Sequence, residues 1–267
     1  MSPDLLWVVQ AVVLGIVEGV TEYLPVSSTG HLIVAGDVVG LRGPLAATFE
    51  IFIQLGAVLA VVWHYRARLW AVAARLGAPE GRQFLIPLVV AFLPAAVVGL
   101  LIHDWVKAVL FTPLVVAGAL VVGGVVILVL ERIHFADTIL DAERMPVKTA
   151  LGIGLAQILS LIPGTSRSAT TILSGYALGC SRRAATEFSF LLAIPVLGSA
   201  TLYDLYKSRE LLSRNDVAMF AVGTVVAFIT ALVVIRGFLR YVGGHDFRVF
   251  AWYRIVFGLV VAAWALR

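Results

Sequence analysis

Six stretches of this 267-residue chain run on with almost no charge, at about 46–63, 84–102, 108–130, 188–206, 217–235 and 249–266. A hydrocarbon core about 30 Å thick is crossed by about 20 apolar residues in a helix, so each stretch is a candidate membrane span. With 61% hydrophobic and only 13% charged residues, the chain has too little polar surface to coat a soluble core. Lipid is therefore its main solvent, and a single membrane domain, residues 1–267, is expected. The 20 Lys and Arg against 16 Asp and Glu fall in short clusters between apolar runs. That distribution suits juxtamembrane orientation signals and excludes a nucleic-acid-binding patch. Cys180 is the only cysteine, so neither an intramolecular disulfide nor a thiolate metal cluster is available.

Two further apolar stretches, at about 5–40 and 147–180, are broken near their middles. The breaks are LPVSSTGH (Leu24 to His31) and IPGTSRSATT (Ile162 to Thr171). A break at membrane depth strips backbone groups of partners that lipid cannot supply, so it survives only inside protein or beside a polar cavity. Each broken stretch is read as a re-entrant hairpin, helix in and helix out, followed by three spans. The expected fold is all-α and integral to the membrane, an inverted repeat with halves at about 1–131 and 147–267. A charged cytoplasmic loop, Glu131 to Lys148, joins them. Pro25 and Ser28 match Pro163 and Ser166 at a common offset of 138, and FEIFIQLGAVLA echoes FSFLLAIPVLGSA. Paired breaks in two halves place a functional site where the hairpins meet.

Loop charges orient the chain. Arg66, Arg68, Arg75, Arg82, Arg132, Arg144, Lys148, Arg182, Arg183, Arg236, Arg240 and Arg248 fall on one side, which the positive-inside rule makes cytoplasmic. Lys107, Lys207, Arg209 and Arg214 fall on the other. On this topology both termini are external, the first hairpin enters from outside and the second from the cytoplasm. The glycine-rich run Gly118 to Gly124 suits close helix packing, within the monomer or in a homo-oligomer.

The chemistry concentrates at the breaks. Glu18 and Glu22, four residues apart, share one helix face, and ionisable groups at membrane depth are costly enough to be functional candidates. Ser27, Ser28 and Thr29 follow with hydroxyls, then His31 as a proton carrier. In the second break, Gly164 admits a close backbone approach, Ser166, Ser168 and Thr171 are donors, and Arg167 is a planar fork suited to phosphate oxygens. A helix restarting at either break aims free N–H groups at an anion, although serine at such a position is also an ordinary helix cap. The inventory is that of a phosphoryl-transfer site, in which a hydroxyl or water attacks a phosphate held by Arg167. The two acids would serve as general base or hold a divalent cation, Mg²⁺ or Ca²⁺, through Glu18 and Glu22. Zinc-protease, P-loop and nucleophile-elbow motifs are absent from the sequence.

EGVTEYLPVSSTGH (Glu18 to His31) and PGTSRSATT (Pro163 to Thr171) resemble the two signatures of the bacterial undecaprenyl-diphosphatases, the bacitracin-resistance family, and length and layout agree over the whole chain. The resemblance implies a phosphatase of the bacterial cytoplasmic membrane. It would remove one phosphate from undecaprenyl diphosphate to recycle the lipid carrier of cell-wall synthesis, with its site open to the outer face. By matching positions it assigns function to Glu18, Glu22, Ser28, His31, Ser166, Arg167 and Thr171. Ser28 is the expected nucleophile with Glu22 or His31 as its base; Ser27 and direct attack by water stay open. The competing reading is a transporter of the lipid monophosphate, because broken helices in repeated halves are the usual build of secondary transporters.

Overall fold

The computed structural model describes residues 3–41, 43–208 and 217–266. Arg209 and Arg214, expected on the far side of the membrane, lie outside the described residues. The described chain forms eleven α-helices: α1 (Pro3–Thr21), α2 (Ser28–Val39), α3 (Pro44–His64), α4 (Arg66–Ala73), α5 (Pro79–Val109), α6 (Pro113–Leu130), α7 (Val147–Gln157), α8 (Arg167–Ala177), α9 (Arg182–Ser208), α10 (Val217–Tyr241) and α11 (Arg248–Ala265). The protein is thus all-α and multi-pass. Five of these helices are long and apolar enough to cross a bilayer, and α3 with α4 makes a sixth if the bent pair counts as one span. All six expected spans are present as helices.

Two boundaries differ from the sequence reading. The expected loop at 64–83 contains α4, turned by 72° from α3 at Tyr65, with Arg66 and Trp70 exposed. Hydropathy marked only the apolar part of α5, whereas the helix begins at Pro79, a residue suited to a first turn, and runs through Pro87 and Pro94 to Val109. The charged connector between the halves is tied down rather than loose. Thr138 and Ile139 donate to the carbonyl of Gly179 at 2.9 Å, and Ser181 returns a bond to Ile139.

Both broken stretches are hairpins. In the first, Gln10 Nε2 near the start of α1 donates to the carbonyl of Val39 at the end of α2, at 3.1 Å, so α2 runs back along α1. In the second, a Cβ on Gly152 of α7 would meet Leu178 at the end of α8. The hairpins point at each other from opposite ends of the bundle. Gly15 and Gly19 of α1 lie against Gly223 and Ala227 of α10 in matching order, so α1 runs parallel to α10. Gly154 of α7 lies against Ala91, and Leu161 just beyond α7 against Gly99 of α5, so α7 runs parallel to α5. These contacts use small residues, which let backbones approach where no hydrophobic force acts between helices in lipid. Gly123 and Gly124 pack on Arg254 and Ala251 of α11, within the monomer.

At one end, ion pairs gather the start of α9, the end of α6 and α4, and Phe247 N, just before α11, donates to Glu131 Oε1 at 3.0 Å. Arg182 pairs with Glu131 at 2.6 Å, Arg183 with Glu187 at 3.0 Å, and Arg68 with Glu143 and Glu187. The basic loops assigned to one side by charge counting therefore do lie together. Helix α9 is the most enclosed span, with 44% of its apolar window buried against 22–33% for the other four. The remaining spans show Leu100, Val122, Val233 and Trp252 outward, as lipid requires.

Candidate active site

Each hairpin turns through a serine with backbone geometry that side chains rarely adopt. Ser27 (φ 72°) and Ser166 (φ 75°) are the non-glycine residues with positive φ among those described, and such strain, of order 1–3 kcal/mol each, persists only where the surroundings enforce it. Both are helix N-caps: Ser27 Oγ accepts from Gly30 N at 3.4 Å and Ser166 Oγ from Ala169 N at 3.2 Å. The caps correspond as Ser27 with Ser166, one residue out of step with the sequence match of Ser28 to Ser166. The first break is a residue shorter between proline and cap. Consequently Ser28 and Arg167 occupy equivalent first positions of α2 and α8, and both line the space between the two helix starts.

That space is a polar hollow of about 170 Å³ lined by Glu22, Ser27, Ser28, Thr29, Gly164, Ser166 and Arg167, with Gln54 of α3 and Ser160 beside them. At roughly 30 Å³ per water it has room for about half a dozen. Ser28 Oγ donates to Glu22 Oε2 at 2.5 Å, and Arg167 Nη2 donates to Glu22 Oε1 at 2.8 Å. The pair is buried, at 5% exposure for Glu22 and 7% for Arg167. Arg167 Nη1 donates to Ser189 O and Oγ, and its guanidinium lies 5.7 Å from the ring of Tyr23, whose hydroxyl donates to Ala57 O at 2.7 Å. Arg167 lines the hollow, and its Nε is buried without a hydrogen-bond partner among the protein atoms.

The other expected site residues stand apart from the hollow. Thr171 and Ser189 share a 2.7 Å bond, and Thr171 donates to Arg167 O at 2.9 Å. Thr171 therefore sets Arg167 and does not reach the hollow. Ser168 Oγ donates to Leu24 O at 2.7 Å while sharing a 3.0 Å contact with Ser166 Oγ, locking the second hairpin to the first. His31 turns away: Nδ1 donates to Ser27 O at 2.7 Å, and Nε2 accepts from the Tyr253 hydroxyl at 2.6 Å. Its ring stacks on Phe257 at 4.1 Å. The imidazole is thus tied to the strained cap and not to the Ser28 hydroxyl, because α2 carries its fourth residue round to the α11 face.

Glu18 is fully buried, and neither carboxylate oxygen has a partner. Glu22 is the opposite case, with one oxygen on Ser28 and one on Arg167. Both oxygens of Glu18 are unpartnered and each oxygen of Glu22 has one partner, while no cluster of three His, Cys, Asp or Glu occurs among the described residues.

The residue that the sequence reading passed over is Arg254 of α11. It is fully buried and donates to Pro25 O at 3.1 Å, Gly164 O and Thr165 O at 3.0 Å, Ala119 O at 3.2 Å and Leu120 O at 3.4 Å. One guanidinium thereby joins both breaks to α6. The signal was a lone arginine inside an apolar span. Tyr23 and Ser189 carried no such signal, since aromatic and hydroxyl side chains are ordinary in membrane helices.

An all-α multi-pass bundle whose two opposed hairpins bring a serine, a carboxylate and an arginine to one buried hollow defines a membrane protein built for anionic lipid chemistry. A family model, "Bacitracin resistance protein BacA", matches residues 11–260, and the chain belongs to that family. It is 55% identical over 258 residues to the undecaprenyl-diphosphatase of Nitrosomonas eutropha, covering 97% of this chain and 94% of that protein. It is also 52% identical over 266 residues to the undecaprenyl-diphosphatase of Aromatoleum aromaticum (99% and 97%) and 54% identical over 264 residues to undecaprenyl-diphosphatase 2 of Rhodospirillum rubrum (98% and 96%).

Proposed function

We propose that this protein hydrolyses undecaprenyl diphosphate to undecaprenyl phosphate and inorganic phosphate, in the bacterial cytoplasmic membrane, from a site open to the external face. The observation that carries the reading is the Ser28 hydroxyl donating to Glu22, which pairs with Arg167 in the wall of the polar hollow. The terminal phosphate docks beside the Arg167 guanidinium and the first-turn amides of α2 and α8. Ser28 Oγ attacks its phosphorus and passes its proton to Glu22, and the bond to the bridging oxygen breaks to release the lipid monophosphate. Water then cleaves the phosphoserine, with Glu22 taking the water's proton as Ser28 recovers its own. If water attacks directly, Ser28 serves to orient it.

The opposed hairpins also support an inverted repeat, with α1 on α10 as α7 is on α5, and α3 on α9 and α6 on α11 as the pairs that meet between halves. The clustered basic end then faces the cytoplasm. A transporter shares this build, and flux assays separate the two.

The test is phosphate release from undecaprenyl diphosphate by purified protein, with acid quenching to trap phosphoserine. Ser28→Ala and Glu22→Gln are expected to lose at least 10³-fold in rate, with phosphoserine trapped in the wild type alone. Assays with EDTA and added Mg²⁺ or Ca²⁺ decide whether an ion takes part. Absence of release from folded wild type, with lipid flux intact in vesicles, would replace the enzyme with the transporter.

A further inference from the structure

Two apolar hollows flank the second break. One, of about 580 Å³, lies between α6 and α8 and touches the polar site through Ile162 alone. The other, of about 400 Å³, lies between α5 and α9 and shares with the polar site Ser160, in the turn after α7, and Val196 of α9. Its lining runs along α5 from Phe92 to Val106, about 20 Å at 1.5 Å per residue, and along α9 from Val196 to Asp204. It ends where His103 faces Asp204 at 4.0 Å, at the end of the bundle away from the basic cluster.

The second hollow is unusual for its residues. Ala95, Ala96 and Gly99 of α5 face Ser199 and Ala200 of α9, the small side chains that elsewhere in this bundle let helices close. Here the gap stays open. Each helix carries an internal proline at the level where the gap begins, Pro94 in α5 and Pro195 in α9, where the hydrogen-bond ladder loses a rung. The result is an apolar slot leading from the phosphate site toward one membrane face.

We infer that this α5–α9 slot holds the phosphate-proximal isoprene units of the lipid substrate, an inference that rests on the phosphatase reading above. A prenyl chain is a flexible hydrocarbon whose charged end must reach Arg167. The slot meets the polar hollow on two walls, whereas the α6–α8 hollow meets it at a single residue. Gly99 is the narrow point: a Cβ there would sit 3.4 Å from Leu161, so alanine fits and a leucine projects into the slot.

The experiment compares undecaprenyl and farnesyl diphosphates as substrates for wild type, Gly99→Leu, Ala200→Leu and Gly118→Leu, the last filling the other hollow at a position with no neighbour within 4 Å. Expected is a fall of at least tenfold in kcat/KM for both prenyl diphosphates in both slot variants, carried mainly by KM, with no change in Gly118→Leu. A prenyl diphosphate bearing a diazirine on an early isoprene, crosslinked to the wild type, should label peptides within 92–106 and 196–204. Unchanged kinetics in folded slot variants, a loss confined to Gly118→Leu, or label on α6 and α8 would each overturn the assignment. If the slot variants do not fold, the wild-type crosslink decides. A wild type that releases no phosphate from either lipid defeats the phosphatase reading instead, and the crosslink still reports whether the slot takes a prenyl chain.

Discussion

Replacing Arg254 by methionine removes the cation that joins both breaks while keeping the length of the side chain, and two opposed terms decide the outcome. Ala119 and Leu120 belong to α6, whose carbonyls have intrahelical partners, but Pro25, Gly164 and Thr165 lie in the breaks. Leaving three such buried carbonyls unpaired costs about 1–3 kcal/mol each. Against this, a buried cation without a carboxylate partner is itself expensive, and its removal returns several kcal/mol of desolvation. The net loss of stability is therefore modest, about 2 kcal/mol, or roughly 4–8 °C in Tm for a chain of this size.

Catalysis has no such compensation. The two breaks carry Ser28 and Arg167, and a shift of about 1 Å between reacting groups costs on the order of 100-fold in rate, or about 2.7 kcal/mol at the transition state. Arg254→Met is thus expected to lower kcat at least 100-fold while still unfolding cooperatively in detergent. Arg254→Lys, with three donors for the three break carbonyls, should recover at least tenfold of that. Gly123→Ala gives an independent check, because its methyl would collide with the Arg254 guanidinium; the flexible side chain can yield, so a five- to tenfold loss is expected. Phosphate release and thermal unfolding measured on the same preparations test the chain of reasoning. Full activity in folded Arg254→Met would refute it, because the breaks would then hold their places without the clamp.

His31→Asn keeps a donor near the position of Nδ1 and should retain at least tenfold more activity than His31→Ala, with an unchanged pH–rate profile. Equal inactivity of the two would restore the imidazole as a proton carrier. Glu131→Gln loses the pair with Arg182, whose side chain is 30% exposed, while Glu131 itself is 2% exposed. After allowance for that screening, about 2 kcal/mol of stability should go, with kcat within twofold of wild type. Burial, helped by the nearby charge of Asp137, pushes the Cys180 thiol up to about 12. The fold thus retains a proton that the unfolded chain gives up near pH 9, so the stability this group contributes is present below about pH 9 and declines as pH rises toward 12. Alkylation of Cys180 at pH 8 should accordingly be slow until the protein is unfolded.

The spans were legible because lipid reads one property, apolar length, and the six runs carried it with at most one charge each. The breaks were legible for the converse reason: LPVSSTGH and IPGTSRSATT put polar groups where lipid tolerates none. The sequence also suggested that Glu22, Ser28 and Arg167 belong together, and they do meet. What it could not show was direction. Ser27 and Ser166 adopt positive φ, which composition does not foretell in serine, and that twist decides which hydroxyls cap a helix and which face the hollow. His31 lies only three residues beyond Ser28, yet the turn of α2 carries it to Tyr253 on α11, 222 residues away in sequence. Nearness along the chain suggested a proton carrier beside Ser28, whereas the turn of the helix sets the ring between Ser27 O and the Tyr253 hydroxyl.

Arg254 is the complementary case, because a charge at membrane depth has a cost visible in any sequence, while its partners here are backbone carbonyls that every residue possesses. An acidic partner would have been sought and found; a ring of carbonyls leaves no mark in the sequence. Those carbonyls were freed by the breaks themselves. Interrupting two helices at Pro25 and Pro163 exposes acceptors that lipid cannot satisfy, and a guanidinium with five donors in one plane can satisfy several at once. The broken helices and the buried arginine are therefore two halves of one requirement: a membrane protein that interrupts its helices at depth must also supply donors for the carbonyls it releases.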